Sequence, residues 1–385
     1  MLRMIPAPGV FIGGVAIFLI VLWDAFEAII LPRRVTRRFR LTRFYYLVAW
    51  RAWKIYARLI PSKKAREAFL GFFGPISLFF LIGLWAVGLL FSFGMMQYGA
   101  GSAVNVSGMN PSFDTDLYLS GTTFFTLGLG DVVPKSGLAR ILVVAEAGFG
   151  FGFLAAVIGY LPFIYGAFGN RETNIALLDA RAGTPPTAGE LLRRHSYEGG
   201  VEALQKLLGE WERWCAQLLE SHLSYPVLAY FRSQHDNQSW IASLTAILDT
   251  CALVIAGVRD ARSKQAELTF AIARHAVVDL CQVFSAAPRP LPSDRLGPET
   301  FEKLRNKLSK IGMPLLATPD AVERLTELRQ MYEPYVFALA AHLNHSLPPW
   351  IPEKKGRDNW ETTAWAKSSG ALQENAANLM HDDHF

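Results

Sequence analysis

Leu117–Pro134 reads LYLSGTTFFTLGLGDVVP. It is too short to enter and leave a bilayer as two full helices, each of which needs roughly 20 residues. Its first nine residues suit a short helix; Thr126-Leu127-Gly128-Leu129-Gly130-Asp131 does not. Alternating glycines admit backbone angles closed to other residues. At membrane depth such an irregular strand survives only where it lines water or is buried in protein. Carbonyls from several copies, aimed inward, can replace an ion's hydration shell.

Three long apolar runs surround this stretch: Val10–Leu31, Phe69–Tyr98 and Leu138–Phe168. Each is long enough to span a bilayer. Of the 385 residues, 51% are hydrophobic and only 18% charged, where soluble chains average about 25%. The charge deficit lies in the first 170 residues. Disorder, collagen and a small disulfide scaffold are excluded. Cys215, Cys251 and Cys281 are odd in number and widely spaced, which fits reduced thiols on a cytosolic part rather than a disulfide framework or zinc site.

Charge sets the expected topology. Twelve Lys/Arg and no acid lie between Arg33 and Arg66, leaving 26 basic against 33 acidic residues elsewhere. A basic stretch between two apolar runs reads as a cytoplasmic juxtamembrane segment, not a nucleic-acid site. The N-terminus is then outside, and Val10–Leu31 is an uncleaved helix, since few basic residues precede it and many follow. Gly99–Asp116 has no Lys/Arg and reads as an external loop, so the large C-terminal part is cytoplasmic. Aromatics spaced by three and four through Arg40–Ile60 predict an amphipathic helix at the interface, a membrane anchor with affinity for anionic lipids. Asp24 and Glu27 share one helical face and are expected to pair with Arg33, Arg34 or Arg37.

Thr126–Asp131 resembles the selectivity-filter signature of the potassium channel superfamily, usually Thr-Val-Gly-Tyr-Gly-Asp, and the order outer helix, pore helix, filter, inner helix resembles that family over roughly residues 69–168. The resemblance implies an all-α membrane protein: a potassium-channel-like pore domain with an additional N-terminal transmembrane helix and a helical cytoplasmic C-terminal domain. It implies that the carbonyls of Thr126, Leu127, Gly128 and Leu129 line K⁺ sites, with the Thr126 hydroxyl adding the innermost, and that Gly128 and Gly130 supply the permissive conformations. Asp131 would sit just outside, bonded to the neighbouring pore helix. The sequence departs from the pattern at Leu129, where Tyr is common, and at Phe125, where a second Thr is usual. Two-pore-domain potassium channels use Gly-Leu-Gly in one pore segment. One pore loop per chain implies a homotetramer, and closed cyclic symmetry suits it.

In the inner helix, Gly148, Gly150 and Gly152 each weaken the helix by about 1 kcal/mol relative to Ala. They read either as a gating hinge, with Gly150 at the family's hinge position, or as a close-packing surface. Phe151, Leu154 and Ile158 recur at helical spacing and, by the resemblance, face the cavity below the filter. Pro162 is expected to kink or end the helix. Glu146 is costly at membrane depth and therefore a functional candidate: bonded to Thr122 or Thr123 behind the filter, protonated and pH-sensitive, or paired with a polar group of a neighbouring chain. No arginine ladder lies inside a span, which argues against voltage sensing.

The chain divides into an N-terminal helix (1–32), a basic linker (33–67), the pore unit (68–169), a helical cytoplasmic domain (170–349) and a polar tail (350–385). Leu204–Leu219 and Leu325–Leu339 carry helical periodicity, and central Asp249 makes Trp240–Val258 a buried soluble helix rather than a fourth span. No nucleotide-binding fingerprint, HExxH motif or dense metal-ligating cluster is present; His235-Asp236 and the His275/Asp279 pair are weak candidates. The expected function is a homotetrameric potassium-selective channel, passive, without cofactor and not an enzyme, gated through the inner helix and cytoplasmic domain. A weakly selective cation channel and a non-conducting membrane sensor are the alternatives.

Overall fold

The computed structural model describes residues 7–31, 40–102, 104–106, 111–234, 238–258 and 264–352. Arg33, Arg34, Arg37, Arg38, His235, Asp236 and the tail beyond Pro352 lie outside these. Two compact units emerge, one drawn from Met1–Phe168 with Ser221–Phe231, the other from Gly169–Glu220 with Arg232–Phe385.

In the first unit, α1 (Pro8–Ile29) starts on a proline, whose missing N–H costs nothing at a helix start. It packs along α4 (Phe73–Gly99), with Ala7 N donating to Gly99 O at 3.0 Å at one end and Trp85 Nε1 to Asp24 Oδ2 at 2.9 Å at the other. Between them lies α2 (Leu41–Arg58), the expected amphipathic helix, followed by α3 (Lys63–Gly71). Asp24 also accepts from Thr42 N at 3.1 Å and from the Thr42 hydroxyl, satisfying an orphan donor in the first turn of α2. Glu27 takes Trp23 Nε1 at 2.7 Å and lies 3.3 Å from Arg40 Nε. The two acids therefore fix the entry into α2 through Thr42, Trp85 and Arg40; their expected arginine partners fall outside the described residues.

The pore helix is α5 (Phe113–Phe124), capped reciprocally by Ser112 and Thr115. After the glycine-containing strand the chain forms β2 (Val132–Pro134), antiparallel to β1 (Val104–Val106) with Asn105 opposite Val133. The expected external loop thus contains a strand that ties it to the end of the glycine segment.

The inner helix α6 (Gly137–Ala182) is 46 residues long. At 1.5 Å per residue it measures about 69 Å, more than twice a hydrocarbon core of roughly 30 Å. It runs through Pro162, so of the two expected outcomes, a kink or an end, the helix end does not occur. A proline deletes one backbone hydrogen bond, and the uninterrupted turns on either side carry the helix past it. Among the described residues three helical stretches are long and apolar enough to cross a membrane: Pro8–Ile29, Lys63–Gly99 and Gly137–Ala182.

The second unit is helical. It contains the end of α6, α7 (Ala188–Arg194), most of α8 (Gly200–Ser224), α9 (Trp240–Ala256), α10 (Lys264–Val283), α11 (Pro298–Lys310) and α12 (Pro319–Leu343). α9 is buried along nearly its whole length, and its Asp249 is neutralised by Arg295, whose Nη2 lies 2.6 Å from Asp249 Oδ2. The same guanidinium reaches Glu333 at 3.1 Å and stacks on Trp350. The periodic leucines of α8 and α12 are buried as expected. All three cysteines are free and buried.

Candidate functional site

The glycine segment begins where α5 runs out of helical hydrogen bonds. Phe125 N still donates to Gly121 O at 3.1 Å, and Thr126 N to Thr123 O at 3.0 Å. The Thr122 carbonyl then accepts from both Leu127 N, at 2.7 Å, and Gly128 N, at 3.2 Å. The pore-helix C-terminus is thus the anchor for the start of the strand.

Positive φ recurs at every second residue: +56° at Thr126, +54° at Gly128 and +80° at Gly130. In an ordinary extended strand successive side chains alternate between faces, and the carbonyls alternate with them. Placing every second residue in the left-handed region cancels that alternation and lets successive carbonyls share one side. Two of the three positions are glycine, which tolerates this region at no steric cost. Thr126 adopts it despite a branched side chain, which marks a position held by its surroundings. Around the strand, Phe125, Leu127 and Leu129 are 58%, 62% and 64% exposed in the isolated chain.

The outer end of the strand is held by Asp131. Tyr118 on the pore helix donates its hydroxyl to Asp131 Oδ2 at 2.9 Å, and Val132 N donates to Asp131 Oδ1 at 3.1 Å. Asp131 therefore bonds to the pore helix of its own chain, with Tyr118 as donor. At the other face of the pore helix Ser102 bonds to buried Asp116, pinning the external loop to its first turn.

Glu146 is fully buried against the pore helix, but its partner is Ser120, not Thr122 or Thr123. Thr122 instead returns its hydroxyl to Leu119 O at 3.0 Å. Ser120 Oγ also lies 2.7 Å from Leu90 O on α4, so one hydroxyl joins the outer, pore and inner helices. Glu146 Oε2 has no partner among the described residues. Ser120 and Tyr118 were missed in the sequence because their roles depend on tertiary neighbours.

Gly150 lies directly against the end of the pore helix: a Cβ there would collide with the Phe124 carbonyl. This is the close-packing role. The helix is unbroken across Gly148, Gly150 and Gly152, and the positions of Gly148 and Gly152 open onto free space. Phe151, Leu154 and Ile158 form one exposed stripe, 69%, 55% and 63% accessible, without a cover inside the chain.

Lower on α6, Tyr160 and Phe163 pack on Tyr225 with ring centroids 5.6 and 4.8 Å away. Tyr165 and Phe168 pack on Phe231. Between Tyr225 and Phe231 is a 3-10 turn, Pro226–Tyr230, whose Tyr230 stacks on Tyr46 of α2 at 5.4 Å. Phe231 also fills the space over Gly74 of α4, its Cδ2 only 2.7 Å from where a Cβ would sit. One short segment therefore touches α2, α4 and α6.

Residues 76–162 match the family model described as Ion channel. Over that segment the chain is similar to ion channels. The match begins in the first turn of α4, takes in the whole pore loop, and ends at Pro162. Over 292 residues the chain is 25% identical to the uncharacterized membrane protein YdjJ of Bacillus subtilis (strain 168), covering 74% of this chain and 82% of that protein. That similarity reaches well beyond the pore domain. No solved structure matches the chain. The similarity to ion channels fits the three membrane-length helices found among the described residues.

Proposed function

We propose that four copies of this chain form a passive, potassium-selective channel in the cell membrane, with the N-terminus outside and the C-terminal domain in the cytoplasm. The alternation of positive φ at Thr126, Gly128 and Gly130 carries this reading. It suits a strand whose carbonyls of Thr126, Leu127, Gly128 and Leu129 coordinate a dehydrated cation, and one chain supplies only a quarter of such a cage. Exposed Leu127, Leu129 and the Phe151–Leu154–Ile158 stripe are surfaces that fourfold assembly would bring to the pore or to neighbouring subunits. K⁺ then moves between carbonyl sites, each ion helping to expel the next. Tyr118 and Asp131 replace the phenol brace that Leu129 cannot provide.

Gating acts through α6. Its cytoplasmic half is held by the Tyr225–Phe231 segment, and opening at the inner mouth requires those aromatic contacts to shear. Basic residues of α2 and α3, among them Arg51, Arg58 and Lys63, supply attraction to anionic lipid. Reconstitution at defined copy number tests assembly. Flux from liposomes holding four subunits, absent from those holding one, is the expected result; flux from monomers would refute the shared cage.

A further inference from the structure

In the second unit, the ends of α6 and α7 and one face of α8 line a half-open cavity of about 320 Å³. Arg181 comes from the last turn of α6, Arg194 from the end of α7, and Lys206 and Glu210 from one face of α8; His195 and Tyr197 come from the turn joining α7 to α8. The volume falls at the small end of the range for ligand pockets, roughly 300–1,000 Å³.

Three cations, Arg181, Arg194 and Lys206, and one carboxylate, Glu210, line the cavity. Arg194 is already paired and fixed, its Nε 2.8 Å from Glu190 Oε1 and its Nη1 2.7 Å from Ala180 O. Among the described residues neither Arg181 nor Lys206 forms an ion pair. An anion bound between them would supply the counter-charge these two lack.

The turn is built to hold the polar groups in place. Gly199 has φ +77°, and Gly200 N donates to Tyr197 O at 2.8 Å. A Cβ at Gly200 would strike the His195 carbonyl. His195 is only 4% exposed, and its Nδ1 lies 2.8 Å from Leu191 O, a pairing that makes Nδ1 the donor. Its Nε2 is then an acceptor in the neutral ring. Burial, with Arg181 nearby, shifts the imidazole below its usual pKa and favours that neutral form. Tyr197 lies over the ring at 6.5 Å and is largely exposed. Cations for a dianion, a buried acceptor for a hydroxyl and an aromatic face for a sugar ring sit within one small cavity.

We propose that this cavity binds a small hydroxylated phosphate monoester, with the phosphate on Arg181, Arg194 and Lys206 and a hydroxyl donated to His195 Nε2. The site does not depend on conduction. The same phosphate chemistry occurs on free sugar phosphates and on lipid headgroups, and two arms separate these sources.

Binding of glucose 6-phosphate to the full chain in detergent is measured by calorimetry; in the second arm, the chain is placed in nanodiscs with or without phosphatidylinositol 4-phosphate, whose headgroup is a hydroxylated phosphate monoester, and lipid retention is measured. The R181Q/K206Q double variant should weaken binding by about tenfold or more, and E210Q, which removes the opposing carboxylate, should tighten it about threefold. A gain of affinity cannot come from misfolding, so E210Q protects the test. Saturable glucose 6-phosphate binding with this order of variants assigns a soluble ligand. The same order seen only with phosphatidylinositol 4-phosphate assigns a lipid headgroup. No binding in either arm, or binding indifferent to all three positions, overturns the proposal.

Discussion

The Tyr118 hydroxyl donates to Asp131 Oδ2 at 2.9 Å, bracing the outer end of the TLGLGD strand against its own pore helix. Both side chains border solvent in the isolated chain, so the bond acts by orienting the strand end rather than by adding much stability. Tyr118→Phe should keep the assembly intact but reduce K⁺ over Na⁺ preference and speed the loss of current under sustained activation. Unchanged selectivity and current decay in Tyr118→Phe would show that the brace is not needed.

Glu146 and Ser120 form the second tie, inside the membrane region. Glu146→Gln preserves volume and a polar partner for Ser120, so conduction should persist. Glu146→Ala leaves a cavity and a Ser120 hydroxyl with one partner fewer; such losses cost about 1–3 kcal/mol. The expected result is lower thermal stability of the assembly and reduced current. Equal behaviour of the Gln and Ala variants would remove the hydrogen bond from the account.

Phe231 tests the control of α6. Phe231→Ala deletes the ring that touches Tyr165, Phe168 and the Gly74 face. Buried Phe→Ala changes cost about 3–5 kcal/mol. If that energy favours the closed inner mouth, single-channel recording should show a higher open probability, with unitary conductance unchanged. A fall in conductance at constant open probability would instead place the effect on the filter.

In the second unit, Glu190 is held by Arg193 and Arg194, with Arg193 Nη2 at 2.6 Å. Burial opposes its ionisation, yet hydrogen bonds and charges from the two arginines hold the carboxyl at about 2. A carboxyl depressed below its unfolded value contributes stability at pH above that value and loses it as pH falls toward 2. The full shift corresponds to about 3 kcal/mol; because Arg193 is 43% exposed, screening reduces our expectation to about 2 kcal/mol. Denaturant melts of the full chain should show this loss between pH 4.5 and 2, and Glu190→Gln should be less stable at pH 7 and flatter across that window. Parallel curves for the two proteins would contradict it.

The pore was legible because its signal is local. Gly128 and Gly130 declare their backbone angles in the sequence, and the apolar runs declare their length. Helix α2 was legible from aromatic spacing, and α9 from a central acid that is costly in a lipid-facing span. What escaped were pairings between distant residues: Tyr118 with Asp131, Ser120 with Glu146, Asp24 with Thr42 and Trp85. Pro162 misled because helix propensity penalises it, whereas the long flanking helix absorbs one missing bond. The return of Tyr225–Phe231 to the membrane unit was invisible, since an aromatic turn looks the same in sequence whichever surface it covers.

The most direct test of the central claim is the reversal potential of the reconstituted channel under opposed K⁺ and Na⁺ gradients, with Gly128→Ala in parallel. At φ +54° an added Cβ is strained whatever space surrounds it, so the variant should disturb the carbonyl row. A reversal potential near that of K⁺, lost in Gly128→Ala, is the predicted result. Clear conductance reversing near zero in the unaltered protein would contradict potassium selectivity and leave a cation pore loosened at Leu129 and Phe125.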